Sequence, residues 1–266
     1  MQRRRILLTV LAAFALASCG KTAKTDDPGT LVVAATAVPH AEILEFVKPM
    51  LAKQGLKLDV RVFNDYVQPN VQVEEGRIPV SYFETKPYLD EYNKAKGSHL
   101  VAIAGVHVEP FGAYSRKWKS LAELPEGATV AIPNEPSNGG RALQLLAKAG
   151  LITLLDPKSI TATPKDIVEN RKNLKFREIE AATLPRVIDQ VDLAMINTNY
   201  ALDAKLNPTR DALAIEDKDS PYVNFVVGLE SAKSDPRVQK LVAALRSPEV
   251  KAFIARKYDG AVLPAF

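Results

Sequence analysis

Globular patterning begins at Leu31-Val32-Val33-Ala34-Ala35-Thr36, a short apolar run rich in β-branched residues that predicts a buried strand. Ile43, Leu44, Phe46, Val47, Met50 and Leu51 then recur at three- and four-residue spacing. That predicts a helix stopped by Gly55 and kinked at Pro49, whose missing N–H removes the bond to Glu45. Leu56, Leu58, Val60 and Val62 alternate with Lys57, Asp59 and Arg61, a strand with one wetter face. The same grammar gives a short helix near 70–75, a strand near 78–83, a helix near 87–96 and a strand over 100–108. After Trp118 a second block repeats it: strand 129–132, helix 140–149, strand 193–197, helix 200–205. A strand over 222–227 and a helix carrying Val238, Leu241, Val242 and Leu245 close the chain. Two blocks of alternating strands and helices imply two α/β domains with mostly parallel sheets covered on both faces. The charge-rich stretch 165–177 reads as a solvated face.

The first 18 residues follow different rules. A basic stub, Arg3-Arg4-Arg5, precedes the apolar run Ile6 to Leu16, which is shorter than the roughly 20 residues needed to span a bilayer. The run ends in Leu16-Ala17-Ser18-Cys19, which resembles the bacterial lipobox and so implies cleavage before Cys19 and acylation of its thiol. Cys19 is the single cysteine of the chain, without a disulfide partner for an oxidising compartment. Acyl chains at about 0.8 kcal/mol per buried methylene would hold the mature protein on a membrane. Residues 19–30 carry no apolar periodicity and read as a tether of roughly 35 Å when extended, at about 3.3 Å per residue.

Charge then excludes a class of partner. Loss of three arginines with the signal peptide leaves 32 basic against 31 acidic residues, so the formal charge falls from +4 to +1. A near-neutral chain without a basic, aromatic-studded stripe is not built for nucleic acid. His40, His99 and His107 fit no metal-ligand spacing, and there is neither a G-x-S-x-G elbow nor a P-loop, so no metal, cofactor or catalytic residue is expected.

Two strand-to-helix junctions carry binding chemistry. Asn134-Glu135-Pro136-Ser137-Asn138-Gly139-Gly140-Arg141 would turn free backbone N–H groups and a helix N-terminus toward the crevice at a strand's carboxyl end, with Arg141 able to grip a carboxylate bidentately. Spacing alone equally allows Asn138 as a cap, glycines as a turn and a solvated Arg141. Asn197, in Ile196-Asn197-Thr198-Asn199-Tyr200, is either a ligand contact or an N-cap. Asn224 lies mid-strand and, if buried, needs a polar companion or costs roughly 1–3 kcal/mol. Tyr66, Tyr82, Phe83 and Tyr88 fall at strand ends and loops, where aromatics line ligand slots or pack a core.

Over residues 31–266 the chain resembles the methionine-binding lipoproteins of bacterial ABC importers, the NlpA type. The segments that carry the likeness include Val38-Pro39-His40-Ala41-Glu42-Ile43-Leu44, Asp65-Tyr66-Val67-Gln68-Pro69-Asn70, Val106-His107-Val108-Glu109-Pro110, Asn138-Gly139-Gly140-Arg141-Ala142-Leu143 and Gly260-Ala261-Val262-Leu263-Pro264-Ala265-Phe266. The resemblance implies a two-lobed periplasmic binding protein fold, type II-like. Each lobe would be a mixed sheet flanked by helices, joined to the other by two crossover strands near 110–112 and 222–224. Lobe 1 would then comprise 31–112 with 223–266, and lobe 2 residues 113–222. It implies a monomeric, non-enzymatic capture protein, lipid-anchored at Cys19 on the periplasmic or outer face, that delivers an L-amino acid, methionine first, to an ABC permease and ATPase complex. By the same likeness Arg141 pairs with the ligand carboxylate, Asn197 and Asn224 bond its backbone groups, and Tyr66, Phe83 and Tyr88 surround its side chain. Where the family reads Asn-Tyr-Phe-Gln-His, this chain has Ser81-Tyr82-Phe83-Glu84-Thr85. Thr85 in place of the pocket histidine leaves more room, which opens a second reading with another amino acid or a short peptide as ligand. A lipid-anchored α/β hydrolase is the third.

Overall fold

A computed structural model describes residues 29–217 and 220–266. Cys19, the signal peptide and nearly all of the tether lie outside the described residues. In chain order the first elements are β1 (Thr30–Thr36), α1 (Glu42–Ala52), β2 (Lys57–Phe63), α2 (Gln68–Glu74), β3 (Val80–Thr85), α3 (Lys86–Lys96) and β4 (Val101–Val108). Then come β5 (Gly112–Tyr114), β6 (Thr129–Pro133), α4 (Pro136–Lys148), β7 (Thr153–Leu154), β8 (Ile167–Glu169), β9 (Lys175–Ile179), α5 (Leu184–Val187), β10 (Leu193–Ile196), α6 (Thr198–Asp203), α7 (Pro208–Asp211) and β11 (Ala214–Ile215). The chain ends with β12 (Val223–Gly228), α8 (Pro236–Leu245), α9 (Pro248–Tyr258) and β13 (Leu263–Pro264).

These strands form two principal sheets, one per lobe. The first has the order β13-β4-β12-β3-β1-β2 and the second β11-β5-β10-β6-β9. In each, the strands linked through helices are parallel: β2 and β3 flank β1, and β9 and β10 flank β6. Strands that return from the other lobe run antiparallel, β12 against both β3 and β4, and β5 against β10. Both sheets are therefore mixed, a parallel centre with antiparallel additions, rather than mostly parallel as the alternation alone suggested. The chain leaves the first sheet after Val108 and enters the second at Gly112; it leaves the second after Ile215 and re-enters the first at Val223.

Each lobe has its own apolar core. Leu31, Val33, Ile43, Leu44, Val47 and Leu51 pack with Val238, Leu241, Ile254 and Tyr258 on one face of the first sheet. In the second lobe Val130, Ile132, Leu143, Leu146, Leu193 and Met195 form the equivalent cluster. The helix α1 continues through Pro49, with the apolar stripe of 43, 44, 47 and 51 fully buried. The stretch 165–177 contains two strands that sequence reading missed. β9 pairs with β6 at the edge of the second sheet and has an exposed, charged pattern because one side faces water.

Candidate functional site

The two lobes meet around a hollow, the usual place for a small-molecule site between domains. Tyr66, Phe83, Glu84, Thr85, Tyr88, Glu109 and Asn224 line it from the side of the first sheet. Asn138, Arg141, Asn197, Thr198 and Asn199 line it from the second. The lobes touch across it: the Tyr66 hydroxyl donates to Asn199 Oδ1 at 2.6 Å, and the Thr198 hydroxyl donates to the Pro110 carbonyl.

Arg141 shows how the Asn-Gly-Gly-Arg segment works. Helix α4 begins at Pro136, four residues earlier than its periodicity indicated, so Asn138, Gly139 and Gly140 are helical rather than a preceding turn. A methyl group on Gly139 would press on the Pro133 carbonyl, and one on Gly140 would collide with the Ile160 carbonyl, so both glycines permit α4 to lie against neighbouring backbone. This packing aims Arg141, 3% exposed, into the hollow. Its guanidinium lies 4.1 Å from the Tyr222 ring centroid and 5.2 Å from that of Phe111. Arg141 Nε donates to Glu216 Oε1 at 2.7 Å, while Nη2 donates to Glu216 Oε2 and to the Glu109 carbonyl. The bidentate fork expected for a ligand carboxylate is thus held by Glu216, a residue sequence reading passed over. Nη1 is the guanidinium nitrogen left without a hydrogen bond among the described residues.

The amides divide into donors and acceptors. Asn197 occupies the N-cap position of α6 but makes no capping bond. Its Nδ2 donates to Asn138 Oδ1 at 3.0 Å, and its buried Oδ1 has no partner. Asn224 has the companion its strand position demanded: Oδ1 lies 3.0 Å from His40 Nε2, which leaves Nδ2 to face the hollow. Tyr66 and Tyr88 stand edge to face, and the Tyr88 hydroxyl is spent on the Tyr66 carbonyl at 3.0 Å.

Tyr82 is the one proposed ligand contact that the structure places elsewhere. It is fully buried in the first lobe's core, its hydroxyl bonded to His107 Nδ1. Strand alternation parts it from Phe83, and a bulge follows. Along β12, Val226 faces Tyr82, Phe225 faces Glu84 and Asn224 faces Thr85, so Phe83 is passed over in the register. The bulge breaks strict alternation, and Phe83, Glu84 and Thr85 all line the hollow while Tyr82 points into the core.

Behind Asn224 lies a second group that sequence spacing could not assemble. His40 and His107 lie with their rings tilted and centroids 4.9 Å apart, and both Nε2 atoms face Glu109 Oε1, at 3.3 and 2.8 Å. His40 Nε2 faces two acceptors, Asn224 Oδ1 and Glu109 Oε1, so it carries the ring proton, and the Thr36 hydroxyl, 2.8 Å from Nδ1, donates there. Burial holds His40 down to about 4 and His107 to about 3, and pushes Glu109 upward. Two histidines and a glutamate within 4.8 Å are also zinc-type ligands by chemistry, although here their polar atoms are engaged with one another. Among the described residues no helix is long and apolar enough to cross a membrane.

Comparison with known proteins follows this geometry. A family model described as NlpA lipoprotein matches residues 31–266. The D-methionine-binding lipoprotein MetQ of Salmonella typhi is 43% identical over 254 residues, 94% of this chain and 93% of the relative. The methionine-binding lipoprotein MetQ of Bacillus subtilis is 39% identical over 97% of this chain and 96% of its own length. Among solved structures, a nutrient binding protein from Burkholderia cenocepacia bound to methionine superposes with a TM-score of 0.86 at 44% identity, covering 89% of this chain and 100% of that one. A putative lipoprotein from Ruminococcus gnavus reaches 0.88 at 46% identity, with 90% and 100% covered. The match takes in both sheets and the hollow between them, and the chain belongs to the NlpA lipoprotein family.

Proposed function

We propose that this chain is the substrate-binding component of an ABC importer, a non-enzymatic protein that captures an α-amino acid between its lobes, with methionine the ligand its relatives' names support. The observation that carries the reading is the sorting of polar atoms around one hollow between the lobes. Arg141 Nη1 and Asn224 Nδ2 are donors suited to an α-carboxylate, the partnerless Asn197 Oδ1 is an acceptor suited to an α-ammonium, and the Glu109 carboxylate, already held by His40 and His107, lines the hollow as a further acceptor. A zwitterion satisfies both sets, and the aromatic faces of Tyr66, Phe83 and Tyr88 accept an apolar side chain. Asn138 acts through Asn197, which it orients.

Contacts from both lobes are what a closure mechanism requires, since a ligand shifts the open–closed balance only by its preference for the closed form. We take the lobes as 31–112 with 223–266, and 113–222. Delivery then goes to a membrane permease with its ATPase, from a monomer held at the cell envelope by lipid on Cys19. The test is mass spectrometry of small molecules retained by the purified protein, followed by calorimetry with L- and D-methionine. Recovery of methionine with micromolar affinity, about 8 kcal/mol, supports the proposal. Absence of any retained or bound amino acid rejects it.

A further inference from the structure

We infer that Glu84 is a specificity-determining residue, and that this hollow prefers an amino acid of methionine length whose side chain ends in a neutral hydrogen-bonding group, a carboxamide above all, over one that ends in an alkyl group. The inference rests on the reading of the hollow as an amino-acid site and deepens it.

Glu84 is 3% exposed and lines the hollow. Its Oε2 accepts from Asn70 Nδ2 at 3.1 Å, while Oε1 is buried without a partner. The bulge at Phe83 is what turns this carboxyl toward the ligand, because a regular strand would give only alternate residues to the hollow. The polar groups around the aromatic wall are otherwise committed. The Tyr66 hydroxyl is bound to Asn199, that of Tyr88 to the Tyr66 carbonyl, and Lys86, the basic residue two positions on, pairs with Asp90 at 2.5 Å. Thr85, beside Glu84, has a hydroxyl with no hydrogen bond among the described residues and adds a second polar edge.

An alkyl or thioether end, a weak acceptor at best, leaves Oε1 buried and unpaired when the ligand seals the hollow. A carboxamide offers a donor and an acceptor together, and so satisfies the carboxyl group in either protonation state. With Tyr88, Tyr92 and Asp90 the titratable groups that interact with it and no cation beside it among the described residues, burial pushes Glu84 up to about 8, so the neutral acid is the form favoured at pH 7. A second use for that proton exists. Asn70 Oδ1 is also buried without a partner, and an acid–amide pair between Glu84 and Asn70 would consume the hydrogen internally.

The experiment is calorimetry at pH 7 on the ligand-stripped chain with three probes of similar length: L-methionine, L-norleucine and L-glutamine. Wild type is expected to bind L-glutamine at least tenfold more tightly than L-norleucine. Glu84→Leu is expected to invert that order, with norleucine and methionine tightened and glutamine weakened tenfold or more, while Glu84→Gln keeps it. If Glu84→Leu does not fold, the wild-type ratio together with Glu84→Gln decides. Equal binding of norleucine and glutamine by wild type, as an internal pair with Asn70 would give, overturns the inference. So does a ratio unchanged in Glu84→Leu. Tight methionine binding alongside either of these results leaves the amino-acid reading standing; failure of all three probes removes that reading itself.

Discussion

Replacing Glu84 by glutamine should stabilise the protein at neutral pH and leave it unchanged in acid, even with no ligand present. The side chain is 3% exposed, has no basic neighbour, and is held at about 8 rather than the usual 4.5 by burial. A carboxyl whose folded value is raised binds its proton more tightly in the native state than in the unfolded chain. Its contribution is therefore full below pH 4.5 and lost progressively as the pH rises toward 8. At pH 7 the unfolded chain gains about 1.4 kcal/mol for each pH unit above 4.5, roughly 3 kcal/mol in all. Glutamine has the same shape and keeps an acceptor for Asn70 Nδ2, but pays no ionisation cost. Urea denaturation of wild type and Glu84→Gln from pH 4.5 to 8.5 should give curves that meet at the acid end and diverge by about 3 kcal/mol at neutrality. In melting experiments the gap corresponds to roughly 6–12 °C for a chain of this size. Parallel profiles over this range would refute the claim that Glu84 is buried as the neutral acid.

Three further outcomes are expected. Arg141→Ala should weaken amino-acid binding by about 2–5 kcal/mol, the usual result of removing one member of a buried charged pair, with Glu216 left beside the vacated space; calorimetry giving unchanged affinity would take Arg141 out of the site. Gly140→Ala should lower stability by more than the roughly 1 kcal/mol that an ordinary helical Gly-to-Ala change gains, because the added methyl meets the Ile160 backbone, and a melting temperature at or above wild type would contradict that packing. His40 and His107, held at about 4 and about 3, should keep neutral, Nε2-protonated rings at pH 5.5 by nitrogen-15 NMR. Their depressed values make stability complete above about 6.5 and eroded as the pH falls toward 4, and an imidazolium signal from either ring at pH 5.5 would show the cluster to be wetter than its geometry implies.

What could be read along the chain, and what could not, separates by distance in sequence. Arg141, Asn197 and Asn224 were legible because each sits where a local pattern ends or breaks: an Asn-Gly-Gly-Arg junction, an amide after a strand, an amide inside one. Their partners were not. Glu216 reaches Arg141 over 75 residues, a pairing set by β11 lying against β5, and His40 reaches Asn224 over 184, a pairing set by the return of β12 to the first sheet. Tyr82 and Phe83 are chemically alike and adjacent, so composition gave no reason to part them; strand alternation sends them to opposite sides, and the bulge opposite β12 lets Glu84 and Thr85 join Phe83 at the hollow. The edge strand β9 was hidden because three of its five residues are charged, which is how an edge avoids pairing with strangers and also how a solvated loop looks.

The position of the Arg141 guanidinium has a mechanical consequence. Glu109 and Phe111 belong to the outgoing passage between lobes, Glu216 and Tyr222 to the returning one, and all four converge on that single side chain. On the proposed reading, a carboxylate held at Nη1 would pull on both passages at once, and the bound solute would become the latch that reports an occupied vessel.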